Sequence, residues 1–409
     1  MSPAVVERSA VGRRLRQRLL FGFVMLMLLG YVRQLSAAPM IGEDFHGMLA
    51  AAQVLREGGN PYDFSTLGKM EIRLYDIPGN LTPDDARYYH PLPFPEGPWL
   101  AIMLLPLTWL PVGAAYAVFE TAMMLALALA AWLALERTDW AVPRRRLALL
   151  AIMLSPLAFL NLFQGQVSPL VFLSAMAGWW LAGRGRPVLA AIALSLVWIK
   201  PHLGLALPVV IAALEPQLAR RLLLNFLMVS VAALAVAVAV LRAGIFEWPA
   251  SLVHFWTTVR VHPWDVASLQ AFTYTALPPS LAPLGIGLLA LALTTYTWRL
   301  WYRCRDARER GLTLLILWFC LLPYVHSYDA VLLLPVMLLL LGPWDRAAVD
   351  PWAEAALWAG LTLPLFFFAG FHLGAFNGFT AVPVTLLLLA WWRRLSNRSQ
   401  ANRIEARAA

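Results

Sequence analysis

The chain has 409 residues, 60% of them hydrophobic and 13% charged, with a formal net charge of +9. A composition this apolar falls outside the range of soluble domains and reads as a polytopic membrane protein, one helical bundle with the bilayer as its solvent. The arginines stand in short clusters between apolar runs, which is positive-inside patterning rather than a nucleic-acid surface. Cys304 and Cys320 suggest neither a disulfide framework nor a metal site.

In chain order, the Arg-rich stretch 13–18 precedes the apolar run LLFGFVMLMLLGYV, which has no obvious cleavage site and reads as a retained signal anchor. Apolar segments follow near 112–135, 147–163, 167–183, 188–199, 201–214, 222–243, 276–300, 311–325, 328–342, 353–371 and 378–393, making twelve with the first at 17–36. Placing every basic cluster (13–18, 137–146, 184–186, 220–221, 299–310, 393–394) on the cytoplasmic side puts both termini, and a basic tail at 395–409, inside. The whole chain, 1–409, is then one integral membrane domain with a large first outer loop at 37–111. Within that loop, Phe45, Met48, Leu49 and Ala52 recur at helical spacing until Gly58-Gly59-Asn60-Pro61 stops the helix, and the tract 98–111 reads as an interfacial or re-entrant helix. The runs 188–199 and 201–214 are each too short to cross and join at Lys200-Pro201-His202, so they form a broken hairpin whose tip lines a cavity on the outer side.

Polar residues collect on that outer side. Asp44, at the start of the first loop helix, either caps open backbone N–H groups or faces a cavity as a general base, and the adjacent Glu43 is a possible second carboxylate. Lys200, one of only two lysines, either holds an anionic head such as a phosphate or snorkels to the interface. His326 and Asp329 suggest a hydrogen-bonded pair that orients an imidazole or holds substrate. No HExxH or other strong zinc spacing occurs, so a divalent metal is not expected. GRGRP at 183–187 lacks the full dinucleotide fingerprint, and no G-x-S-x-G elbow supports a hydrolase triad.

Four stretches carry a family resemblance: EDFHGMLAAAQVLREGGNPYD, RYYHPLPFPEGPWLAIMLLPLTWLP, the run from NLFQGQVSP to IKPHLGLALPVVI, and LLPYVHSYDAVLLLP. In this order they resemble glycosyltransferase family 87, membrane transferases of the GT-C architecture. The resemblance implies an all-α GT-C bundle in the inner (plasma) membrane with its active site on the extracytoplasmic face. It also implies inverting transfer of a mannosyl or arabinofuranosyl unit from a polyprenyl-phosphate-linked donor to a glycolipid or cell-envelope glycan. Carried onto this sequence, Asp44 is the general base, Gln164, Gly165 and Gln166 are the family's signature, and Lys200-Pro201 and His326 match its Lys-Pro and late histidine; beside these, His202 is a candidate to assist Lys200 and His326 at the donor phosphate, and Gln164, Gln166, His90, Tyr89 and Asp329 are candidates for the sugar and acceptor pocket. No cofactor is implied; the partners are the lipid-linked donor, the acceptor and membrane lipids. The family's Tyr-x-Pro-Phe is replaced here by His90-Pro91-Leu92-Pro93-Phe94.

Apolar segments with polar groups at membrane depth also suit a lipid or sugar transporter. Against that class stand the nine acidic residues between Glu43 and Glu96 in the first outer loop and the lack of a second half related to the first.

Overall fold

Backbone N–H and C=O groups in hydrocarbon must be satisfied within their own segment, and the apolar runs of this chain do so as helices. The computed structural model describes residues 42–75, 94–252, 266–278, 280–303, 306–341, 354, 358–363 and 380–408, and every element among them is helical. The expected segment at 17–36 and most of that at 353–371 lie outside the described residues.

Two described helices are long and apolar enough to cross a bilayer, Val112–Glu136 and Pro216–Leu241. The pair Val142–Met153 and Pro156–Gln164, bent by 45°, makes a third if taken as one span. Ser155 causes the break: its backbone is extended ahead of Pro156, and its hydroxyl accepts from Ala158 N–H while donating to Ile152 C=O. Several of the twelve expected segments are shorter than a crossing, as the runs at 188–199 and 201–214 indicated. Ser168–Ala182, Pro187–Ile199, Pro201–Leu214 and Ser327–Leu341 are apolar but shorter than a full crossing.

We number the helices that position the site. α1 (Glu43–Arg56) and α2 (Phe64–Tyr75) form the first loop with α3 (Pro98–Leu104), which runs on as a 3-10 turn to Trp109. α4 is Val112–Glu136, α5 Val142–Met153, α6 Pro156–Gln164 and α7 Ser168–Ala182. α8 (Pro187–Leu194) continues as a 3-10 turn to Ile199; after Lys200, α9 (Pro201–Gly204) and α10 (Leu207–Leu214) complete the hairpin. α11 (Ala219–Leu241) follows. Phe45, Met48, Leu49 and Ala52 are buried as the periodicity predicts, in a core shared with Leu100, Leu104, Phe119 and Ile199. The tract at 98–111 packs on the first-loop helices. The larger core, with Phe172, Trp179, Leu194, Ile316, Phe319 and Trp391, runs through the bundle.

α4 gives the molecule two ends. Near its N-terminus, Tyr116 and Phe119 pack at a tilt against Phe45, with ring centres 5.3 Å and 4.7 Å away. Its 25 residues span about 37 Å before Arg137. Arg137 donates to Trp179 C=O, covers the Trp179 ring, and pairs with Glu215 at 3.7 Å. Arg308 reaches Arg137 C=O, and Glu309, 2% exposed, pairs with Arg394 at 3.0 Å. Three of the predicted basic clusters, 137–146, 299–310 and 393–394, thus meet at one end, with the first-loop helices at the other. The last helix, Val382–Ala408, continues through the stretch read as a tail.

Candidate active site

The site is assembled where three loops meet over the first-loop helices. α1 starts at Glu43 with Gly42 as its cap, and no side chain caps it, so Asp44 is not the N-cap that sequence alone allowed. Gly42 has φ +79°, and a Cβ there would meet the Tyr116 ring at 2.4 Å. Gly42 N–H donates to Phe163 C=O at 2.8 Å, tying the start of α1 to the end of α6. There α6 stops at Gly165, whose φ of +69° suits glycine and whose missing Cβ would stand 2.7 Å from Phe45 Cβ. This close approach sets Gln166 beside Asp44.

Gln166, 3% exposed, donates from Nε2 to Asp44 Oδ2 and accepts on Oε1 from Lys200 Nζ at 3.0 Å. Lys200, 4% exposed, lies at the kink of the hairpin with φ −132° and ψ 74°, outside the α region that the following Pro201 disfavours. Its ammonium also donates to Ser168 Oγ at 3.2 Å and to Asp329 Oδ1 at 2.8 Å, and it sits 4.7 Å from the centre of the Tyr328 ring. All three N–H groups of the ammonium therefore have protein acceptors. Asp329 is fully buried: Oδ1 accepts from Lys200 and Ser168, and Oδ2 from the backbone N–H of His326 at 2.9 Å. The expected His326–Asp329 pair forms as a capping box, in which the Asp329 carboxylate accepts from His326 N–H and the His326 side chain accepts from Asp329 N–H; the His326 ring also pairs through Nε2 with Tyr324 OH and lies 4.8 Å from Tyr328. A continuous polar chain results: Asp329, Lys200, Gln166, Asp44.

Asn161, 1% exposed, holds this arrangement from α6, donating to Leu157 C=O and to Tyr328 C=O at 2.9 Å each. His202 follows Lys200, with its ring 6.1 Å from Tyr324 and its Nε2 enclosed without a hydrogen-bond partner. Gln164 ends α6 beside the site but stands outside the polar chain. Tyr89 and His90 lie outside the described residues, as does the side chain of Glu43. His46, two residues beyond Asp44, stacks on Tyr75 at 4.0 Å, and burial lowers its pKa to about 4, so it is neutral at physiological pH.

The sequence did not single out Ser168, Tyr324 or Glu96. Glu96 occupies a segment pinned from four directions. Tyr62 OH donates to Glu96 C=O at 3.2 Å, Trp248 Nε1 to Pro95 C=O at 3.2 Å and Ser251 Oγ to Phe94 C=O at 3.3 Å, while Gly97 N–H donates to Ile199 C=O at 2.9 Å. A Cβ on Gly97 would fall 1.9 Å from Trp198 O, so glycine is what lets this segment lie against the residue before Lys200.

A buried lysine–carboxylate pair feeding through an amide to a half-buried carboxylate at a helix start suits proton abstraction from a bound hydroxyl. The sequence profile of glycosyltransferase family 87 matches residues 94–324, more than half of the chain. The chain belongs to glycosyltransferase family 87. Gln166, Lys200 and His202 fall within the matched stretch of this family 87 protein, Asp44 precedes it, and His326 and Asp329 follow it. The fold brings both flanks to the matched hairpin. No curated protein and no solved structure matches the chain.

Proposed function

We propose that this family 87 glycosyltransferase moves a mannosyl or arabinofuranosyl unit from a polyprenyl-phosphate donor to a hydroxyl of a glycolipid or cell-envelope glycan, with inversion, on the extracytoplasmic face. The observation that carries the reading is the Asp44–Gln166–Lys200–Asp329 chain at the end of the bundle opposite the arginine clusters. Asp44 accepts the proton of the acceptor hydroxyl as that oxygen attacks the anomeric carbon; the bond to the phosphate oxygen breaks, and its electron pair stays with the lipid phosphate. Gln166 fixes the carboxylate by donating to Oδ2. A phosphate is already a stable leaving group, so one base suffices where glycoside hydrolysis employs two carboxylates.

The donor phosphate lies beside the Lys200 turn in this reading, near His202 and His326. For Lys200 to engage it directly, one protein acceptor must yield, and the bond to Ser168 at 3.2 Å is the longest of the three. Gln164, Gln166, Tyr89, His90 and the loop around Asp329 contribute to the sugar and acceptor pocket, and no metal is required by the scheme. The prenyl chain is held between apolar helices, with the sugar at the interface. The test is release of polyprenyl phosphate by purified protein given radiolabelled polyprenyl-phosphate mannose or arabinose. Release that depends on an added glycolipid acceptor supports the reading; sugar or lipid crossing a vesicle bilayer without bond cleavage overturns it in favour of transport.

A further inference from the structure

Tyr328 stands among the reacting groups, and the base-and-phosphate scheme leaves it without a task. Its backbone is fixed twice: it lies in the 3-10 turn Ser327–Leu333, which the His326–Asp329 cap closes, and its C=O accepts from Asn161 Nδ2 at 2.9 Å. The ring is fixed as well, 4.7 Å from the Lys200 ammonium and 4.8 Å from the centre of the His326 ring. Only 8% of the residue is exposed, and a tyrosine so buried ordinarily finds a partner for its O–H. The Tyr328 hydroxyl makes no hydrogen bond to any described residue, and its oxygen is not sealed in by protein as the unpartnered Nε2 of His202 is. It therefore opens into the site with its donor and acceptor capacity unused. Asp44 is the carboxylate whose charge acts on it most strongly, ahead of Asp329, which puts the hydroxyl end of the ring toward Asp44.

We propose that Tyr328 is a specificity-determining residue of the transfer, whose hydroxyl hydrogen-bonds a hydroxyl of the donor sugar. This rests on the function proposed above, in which the acceptor oxygen arrives at Asp44 and the leaving phosphate stands beside Lys200. The sugar that passes from one to the other must lie between them, and Gln166 holds them one amide apart. The Tyr328 ring lies along that interval, in contact with Lys200 at one limit and within the field of Asp44 at the other. A sugar hydroxyl both donates and accepts, as a phenol does, and a neutral partner leaves the charges of Asp44 and Lys200 to the proton and the phosphate. Hexopyranose and pentofuranose rings carry their hydroxyls at different positions around the anomeric carbon. One fixed phenol then tells them apart, because a sugar whose hydroxyl misses it leaves a polar group unpaired in a closed pocket. Lys200 and His326 hold the ring and so act on the sugar through it.

Tyr328→Phe removes the hydroxyl and keeps the ring against Lys200 and His326. The test uses the full chain in lipid vesicles, with polyprenyl-phosphate mannose or arabinose, the monodeoxy analogues of the sugar that is transferred, and polyprenyl phosphate without sugar as an inhibitor. In wild type, one monodeoxy donor should lose about 10–100-fold in kcat/KM. Tyr328→Phe should show the same loss with the complete donor and no further loss with that analogue, so that the two deletions do not multiply. Inhibition by polyprenyl phosphate should be within about two-fold in the two proteins, since the contact is to the sugar. Losses that multiply at every deoxy position overturn the proposal, and so does a loss confined to acceptor KM or one shared by polyprenyl phosphate, which would make Tyr328 an acceptor or phosphate ligand. The wild-type series needs no variant to fold: transfer with equal rates from every monodeoxy donor overturns the sugar contact alone. No transfer from any lipid-phosphate sugar strikes the function proposed above, and the contact falls with it.

Discussion

Lys200 and Asp329 are 4% and 0% exposed, and an ion pair so placed contributes less through its own attraction than it costs when broken. Asp329→Ala strands the ammonium and is expected to destabilise the protein by about 3–5 kcal/mol, read as a lowered unfolding midpoint in detergent. The pair Lys200→Met with Asp329→Leu removes both charges and should recover most of that stability while transfer stays lost. If the double variant is as active as wild type, the polar chain has no part in the reaction. These residues were legible in the sequence because an ionisable group in so apolar a chain must have a partner or a task. Ser168 was not, since a serine at a helix start is ordinary, and Glu96 was hidden among the nine acidic residues of the first loop. The direction of the Asp329 carboxylate hydrogen bond, to the His326 backbone and not to its ring, depends on a turn geometry that residue types do not encode.

At the scale of elements, glycines decide where loops can approach. Gly97→Ala places a methyl 1.9 Å from Trp198 O and is expected to push segment 94–97, whose Phe94 is in the core, off the hairpin, lowering the unfolding midpoint and kcat together. Gly165→Ala meets both a left-handed backbone, costing about 1–3 kcal/mol, and the Phe45 side chain. It should lower the unfolding midpoint and separate Gln166 from Asp44 together; an unchanged midpoint with full activity would show that the α6–α7 turn repacks freely. The hairpin around Lys200 was readable from Pro201 and the shortness of the two runs, and the stop at Gly58 from its Gly-Gly-Asn-Pro stretch. Helix ends were less so. Apolar composition marks a buried stretch without stating where a helix bends, so the 45° break at Ser155 and the cap at Gly42 emerged only from packing.

Across the whole molecule, the helices run alternately between the arginine clusters and the Lys200 site: α4 leads to Arg137, α6 to Gln164, α7 to Arg184, α8 to Lys200 and α10 to Glu215. We propose from positive-inside patterning that the arginine end faces the cytoplasm. On a background without cysteines, Gln217→Cys at the arginine end should react with an impermeant maleimide only after cells are opened, and Trp109→Cys, beyond α3, in intact cells. Reversed labelling would put the site on the cytoplasmic face, with a donor drawn from the other leaflet. The bundle and its two ends were legible because charge asymmetry and apolar run length are properties of the whole chain. Crossing lengths were not, since several apolar helices are too short to span alone and are completed by turns and neighbours.

The central claim is that Asp44 takes the proton of the acceptor, and the most direct measurement compares wild type with Asp44→Asn in acceptor-dependent transfer from a radiolabelled polyprenyl-phosphate sugar, at matched unfolding midpoints. The substitution keeps the size of the side chain and removes the base, so transfer should fall by roughly 10²–10⁴-fold while donor binding persists. Transfer at the wild-type rate by a folded Asp44→Asn protein would contradict the account, leaving the Gln166–Lys200–Asp329 chain as a structural clamp and the base to be sought in another carboxyl.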